Sequence, residues 1–142
     1  MIALAVLRHD QRLADMAGGD NISESTVRRW RDEAIGLLAA QAPRLDRACK
    51  KNARQGGEVV LIDGTLIPTQ RRTGKADRKN YSGKHRHHGL HFLALTVERA
   101  PVEHGFAHLK NWRILAKLRT GPAHATQILR ALLVLTNLEV NR

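Results

Sequence analysis

With 142 residues, 42% of them hydrophobic, the chain can bury a modest core in one ordinary domain or two small ones. Lys and Arg number 24 against 13 Asp and Glu, a formal charge of +11 before any of the 8 His is protonated. Such an excess attracts a polyanion through counterion release, so nucleic acid leads over a merely soluble basic protein or one docked on anionic lipid. The lone Cys49 excludes an intramolecular disulfide and a Cys-rich zinc site and fits a reducing cytoplasm, while no apolar run approaches the roughly 20 residues of a membrane span.

Residues 1–54 carry apolar positions at helical spacing, and the first proline, Pro43, falls late in the stretch. The apolar start from Met1 to Arg8 has no preceding basic region and no small-residue cleavage site, so it reads as helix and not as a signal peptide. Leu4 and Leu7 begin one short helix; Leu13, Met16 and Ala17 share a side of a second, which Gly18-Gly19 should terminate. Asn21 or Ser23 can cap a third, with Val27, Trp30, Ala34, Leu37 and Leu38 as its apolar stripe.

A Gly-containing turn before that third helix is the pattern of a helix-turn-helix. Opposite the stripe lie Ser25, Arg28, Arg29 and Asp32, near the N-terminus from which a recognition helix touches base edges. Arg28 and Arg29 are therefore candidate DNA contacts; the plainer reading is a solvated face on a small helical bundle.

The pattern changes at Gly56-Gly57. Glu58 to Asp63 is a short β-branched apolar run bounded by glycines, which predicts a buried strand ending at Asp63, followed by a polar basic stretch from Pro68 to His88. Leu90 to Thr96 predicts a second strand with Leu90, Phe92 and Ala94 on one face and His91, Leu93 and Leu95 on the other. From Ala100 the helical period returns: Val102, Phe106, Leu109 and Arg113 share one side of a helix running to Gly121-Pro122, and Ile128, Leu132, Leu135 and Leu138 line a closing helix.

A carboxylate held at a strand end suits Mg²⁺, which takes few protein ligands and keeps several waters. Taken alone, Asp63-Gly64 is more often a plain turn. The cluster of His85, His87, His88 and His91 is interleaved by Lys84 and Arg86, which favours a basic loop facing a polyanion over a zinc site.

Three blocks in order carry a resemblance: Val60-Leu61-Ile62-Asp63-Gly64-Thr65-Leu66-Ile67-Pro68, then Tyr81-Ser82-Gly83-Lys84-His85, then Val102-Glu103-His104-Gly105-Phe106-Ala107-His108-Leu109-Lys110-Asn111-Trp112-Arg113-Ile114-Leu115. With the N-terminal helices, the chain resembles bacterial insertion-sequence transposases of the DDE superfamily over nearly its whole length.

The resemblance implies an α+β fold, with a helix-turn-helix DNA-binding segment over residues 1–54 and a ribonuclease H-like catalytic domain over residues 55–142. It implies carboxylates holding Mg²⁺ or Mn²⁺ for cleavage and strand transfer at a DNA phosphodiester. Asp63 matches the family's first Asp and Glu103 its Glu, as catalytic and metal-binding residues. Tyr81, Lys84 and His85 match a motif expected to touch the substrate strand, and Lys110 and Arg113 should share a helix side with Glu103 and meet phosphate.

The stretch in which the family places its second Asp is absent, since Thr96 is followed almost at once by Glu103, so the chain reads as internally deleted. After Asp63 the remaining acids are Asp77, Glu98, Glu103 and Glu139, and none substitutes convincingly. The expectation is a truncated core with two clear strands, two C-terminal helices and some exposed apolar surface. Its partners would be insertion-sequence terminal inverted repeats and a second copy or a full-length transposase. The alternative is a non-catalytic DNA-binding module that inhibits a full-length transposase.

Overall fold

A computed structural model of the chain describes residues 2–42, 44–56, 61–69, 80–96, 107–116 and 118–140. The fold is mixed α+β. Helices α1 (Ile2–His9), α2 (Leu13–Gly19), α3 (Glu24–Gln41) and α4 (Leu45–Arg54) come first, then strands β1 (Leu61–Pro68), β2 (Tyr81–Ser82) and β3 (His87–Thr96). A 3₁₀ turn at Arg113–Leu115 and helix α5 (Pro122–Val140) follow.

Each early helix ends for an identifiable reason. Asp10, in the left-handed region at φ 51°, donates its N–H to Val6 O at 3.0 Å and closes α1, while Arg8 and His9 place basic groups at its negative end. Asn21, at φ 53°, does the same for α2: its N–H reaches Gly18 O at 3.4 Å and the next N–H, of Ile22, reaches Ala17 O at 3.0 Å. That pair of bonds is a Schellman motif, and Asn tolerates the left-handed conformation it needs. The helix ends at Gly19, at the glycine pair expected to stop it, and Asn21 two residues on supplies the left-handed conformation.

Two clusters of buried side chains result. The smaller contains Val6, Ala17 and Val27, with Ile2, Leu13, Met16 and Ile22 packed against it. The larger gathers Leu7 from α1, Ile35 and Ala39 from α3, Ile67 from β1 and Leu109 and Trp112 from the following segment. It also takes Leu115, Leu118 and α5's Ala125, Ile128, Ala131 and Leu132. Adjacent residues Val6 and Leu7 serve different clusters, and α3 enters the smaller one with Val27 and the larger with Ile35 and Ala39. The larger core therefore draws on both sides of the boundary at residues 54 and 55.

The expected apolar stripe on α3 is rotated. Val27 and Ile35 are buried and Ala34 and Leu38 half-buried, but Trp30 is 40% and Leu37 63% exposed. On α5, likewise, Leu138 is 58% exposed and the buried positions are Ala125, Ile128, Ala131, Leu132 and Thr136. Small alanines let α5 approach the core closely, and a fully buried Leu132 contributes about 2–5 kcal/mol by the usual cost of truncating such a side chain.

The sheet has three antiparallel strands in the order β1-β3-β2, one more than the two expected. β1 and β3 pair from Leu61↔Thr96 to Pro68↔Gly89. Ile67 and Thr65 are buried opposite Leu90 and Phe92, which pack on the larger core, while Leu93 on the other face is 73% exposed. The alternation expected for β3 holds at these positions.

Two expectations are corrected here. β1 does not end at Asp63: the strand continues through Asp63↔Ala94 and Gly64↔Leu93 to Pro68. Asp-Gly favours a turn only where no ladder competes, and here β3 supplies one along its whole length. The helix expected to run to Gly121 instead stops after residue 110, because Trp112 turns extended (φ −78°, ψ 104°) and a separate 3₁₀ turn follows. Trp112 is buried, with its indole N–H donated to Thr136 Oγ1 at 3.1 Å. Burying that ring outweighs one continued helical turn. The chain then returns to the sheet, where Leu118 N–H meets Pro68 O at 3.0 Å.

Candidate nucleic-acid interface

The α2–α3 turn is fixed from both sides. After the Schellman motif, Ser23 caps α3, accepting the Thr26 N–H on its Oγ at 3.2 Å. Ile22 precedes the cap and packs in the smaller cluster with Val27 of the first turn and Ala17 of α2. It serves at once as the apolar contact of the α2 terminus and as a hydrophobic staple for α3. The angle between the helices is thereby set by two backbone motifs and one shared side chain.

This geometry presents the first turns of α3 to solvent. Ser25, Arg28, Arg29 and Asp32, the four residues singled out in the sequence, line one shallow groove together with Glu24. Arg28 bonds Glu24 Oε1 at 2.7 Å, and Asp32 meets Arg31 at 2.7 Å. Both pairs are solvent-exposed or nearly so and hold their charges weakly. No ion pair of Arg29 occurs among the described residues. The groove thus offers one guanidinium at once and a second on exchange of an exposed pair, beside acids that disfavour indiscriminate phosphate binding.

A second basic site is the β2–β3 hairpin. Tyr81↔His88 and Ser82↔His87 pair across a four-residue loop, Gly83 to Arg86. Arg86 takes the left-handed conformation at φ 54°, and the buried Ser82 accepts the His85 N–H at 3.4 Å. Lys84, His85 and Arg86 are exposed at the tip, and Tyr81, 50% exposed, lies edge-on to the His88 ring at 5.2 Å. The motif matched in the sequence is therefore a cationic hairpin tip with an aromatic flank. The neighbouring His87 ring nitrogen meets His85 O at 2.7 Å. Among the described residues no three His, Cys, Asp or Glu groups converge where they could hold a metal ion.

Lys110 and Arg113 are both exposed but do not share a helix face, a correction to the expectation. Lys110 ends the helical residues 107–110, whereas Arg113 opens the 3₁₀ turn beyond Trp112. For the proposed metal site, the Asp63 backbone lies in mid-strand, while its side chain and the whole of Glu103 fall outside the described residues, as do Asp77 and Glu98. Glu139 is described: both of its oxygens contact Arg8 Nη1, at 3.0 and 3.3 Å, and Arg8 also lies over the Trp112 ring at 4.8 Å. Its role is to tie α5 to α1.

Sequence reasoning passed over α4. Arg47, Lys50, Lys51 and Arg54 repeat at helical spacing and line one open groove with Gln55. The signal was present as a basic i, i+3, i+4, i+7 pattern, but attention to apolar periodicity alone does not register it. No helix among the described residues is long and apolar enough to cross a membrane. Comparison with protein-family models, with curated proteins and with solved structures returns no match to this chain.

Proposed function

We propose that the chain binds DNA through the α2–α3 unit and descends from the DDE transposases that its three sequence blocks resemble, with strand cleavage impaired. The observation that carries the binding is the doubly fixed α2–α3 turn, which holds Ser25, Arg28 and Arg29 in an outward groove at the start of α3. The Tyr81, Lys84 and His85 hairpin supplies a second contact to the phosphate backbone, and Lys110 and Arg113 supply cations at separate points. In this reading Asp63 and Glu103 bind Mg²⁺ or Mn²⁺, which would activate a nucleophile and stabilise the leaving oxygen at a phosphodiester. After Asp63, Glu139 is the one carboxylate among the described residues, and it lies at the end of α5 beside Arg8 of α1.

The absence from the sequence of the stretch that would hold a second Asp, between Thr96 and Glu103, favours a second reading. A chain that binds terminal inverted repeats without cutting them would compete with, or pair with, a full-length transposase and inhibit it.

The test is a titration of labelled inverted-repeat DNA, with Mg²⁺ or Mn²⁺, alone and beside a full-length relative. Arg28→Ala with Arg29→Ala should weaken binding and reduce the salt slope by up to about 2, at roughly 0.9 per phosphate released. Unchanged binding would refute the α3 assignment. Cleavage lost in Asp63→Ala would refute the impairment, and suppression of the relative's activity would favour the inhibitor.

A further inference from the structure

Helix α4 carries four cations, Arg47, Lys50, Lys51 and Arg54, against one carboxylate, Asp46. The described α4 side chains, these four with Cys49 and Ala53, are all exposed. In an α-helix the spacing from position 47 to 54 gathers the four cations on one side over about 10 Å of axis. They do converge there, lining a single open groove with Gln55. Lys51 and Arg54 fall in the last turn, where they complement the helix dipole, but Arg47 and Lys50 come before it and gain little from that effect. Placing four like charges on one helix face costs self-repulsion, which an anionic partner relieves.

We propose that this face of α4 is a second, sequence-independent DNA contact that lies along the phosphate backbone of a duplex. A stripe of about 10 Å spans about three phosphates of one strand at 3.4 Å of axis per charge, so the cations and the phosphates are commensurate. A stripe of four exposed Lys and Arg side chains, with no carboxylate among the described residues lining its groove, matches a run of phosphates, contacts that give affinity and not specificity. The division of labour is thus between α3, whose mixed-charge groove selects, and α4, whose groove, with cations and no acid among the described residues, holds. This inference deepens the DNA-binding reading and rests on it.

The experiment uses the full chain with Arg47, Lys50, Lys51 and Arg54 all changed to Gln, compared with Arg28→Ala/Arg29→Ala and with the unaltered protein. Gln keeps helix propensity close to that of Lys and Arg, and circular dichroism with thermal melting verifies the fold. A second variant, Lys50→Gln/Lys51→Gln, keeps the test open should the quadruple change disturb α4. Binding to an inverted-repeat duplex and to an unrelated duplex is titrated over salt, with phosphatidylserine vesicles in parallel.

The α4 quadruple variant should lose affinity for both duplexes by the same factor and lower the salt slope by up to about 2.7, for about three phosphates; the double variant should lower it by up to about 1.8. The α3 variant should instead narrow the gap between the two duplexes. Unchanged duplex binding by a folded α4 variant, while the α3 variant is weakened, overturns the α4 proposal alone. Loss of vesicle binding without loss of duplex binding overturns it in favour of a lipid surface. If the unaltered protein binds neither duplex at low salt, the DNA-binding reading falls and takes the α4 proposal with it.

Discussion

Replacing Thr136 by Val should destabilise the fold by about 1–3 kcal/mol while leaving its shape intact. Thr136 is 3% exposed and Trp112 also 3%, and the indole N–H donates to the Thr136 hydroxyl at 3.1 Å. Val matches Thr in volume, so the change leaves no cavity; its cost is a buried indole N–H without an acceptor, worth about 1–3 kcal/mol. In a Trp112→Phe background the donor is gone and the Thr136 hydroxyl is itself buried and unsatisfied. There the same Thr136→Val change should be neutral or mildly stabilising. The difference between the two backgrounds is the coupling energy, and it should be about 1–3 kcal/mol.

Urea unfolding of the four proteins, followed by far-ultraviolet circular dichroism, measures it with the slope held common. Equal costs in both backgrounds would refute the reasoning, because the hydroxyl would then not be serving the indole. Trp112 also sits between Lys110 and Arg113, so its burial separates the two exposed cations.

Ser23→Ala removes the α3 cap and should cost about 1 kcal/mol, read as a fall of a few degrees in the melting temperature; an unchanged melt would show that Ser25 or Thr26 takes over. Asn21→Gly should be tolerated and Asn21→Val should cost about 1–2 kcal/mol, since φ 53° excludes a β-branched residue; equal stability of the two in chemical denaturation would contradict the Schellman assignment. Gly89→Ala should destabilise by about 1–3 kcal/mol, because its Cβ would stand 2.8 Å from Leu66 Cγ and 2.9 Å from Ile67 O, and a carbonyl in the sheet has no room to yield. Hydrogen exchange at the β1–β3 ladder would report that loss, and full protection in the variant would count against the packing described.

The N-terminal half of the molecule was legible because its signals are local. The amphipathic spacing of α1 and α2, the cap at Ser23 and the basic outer face of α3 all arise within a few residues of one another. α2 ends at Gly19, at the expected glycine pair, although Asn21 and not a glycine takes the left-handed conformation beyond it. Burial on α3 was misread where tertiary neighbours decide it. Trp30 and Leu37 match the helical period as well as Ile35 does, but α5 covers only the side that carries Ile35 and Ala39.

Of the candidate site, the groove residues of α3 and the Tyr81 to His85 motif could be named from the sequence, though the latter's hairpin could not. A two-residue strand leaves no periodicity to read, and its partner lies on the far side of a four-residue loop. The continuation of β1 through Asp63-Gly64 was hidden for the same reason, since only pairing with β3 selects ladder over turn. The break after Lys110 depends on Trp112 finding Thr136, a partner 24 residues away.

The double membership of α3, whose start belongs to one cluster and whose end belongs to the other, makes residues 1–54 non-portable as a unit. Excising residues 1–54 would strand Leu7, Ile35 and Ala39 against water, so the fragment would gain adhesive surface while losing its anchor. Conversely, damage to α5 or the sheet is felt by α3. Residues 55–142 are thus a buttress for α3, and loosening them would loosen the groove at the start of that helix.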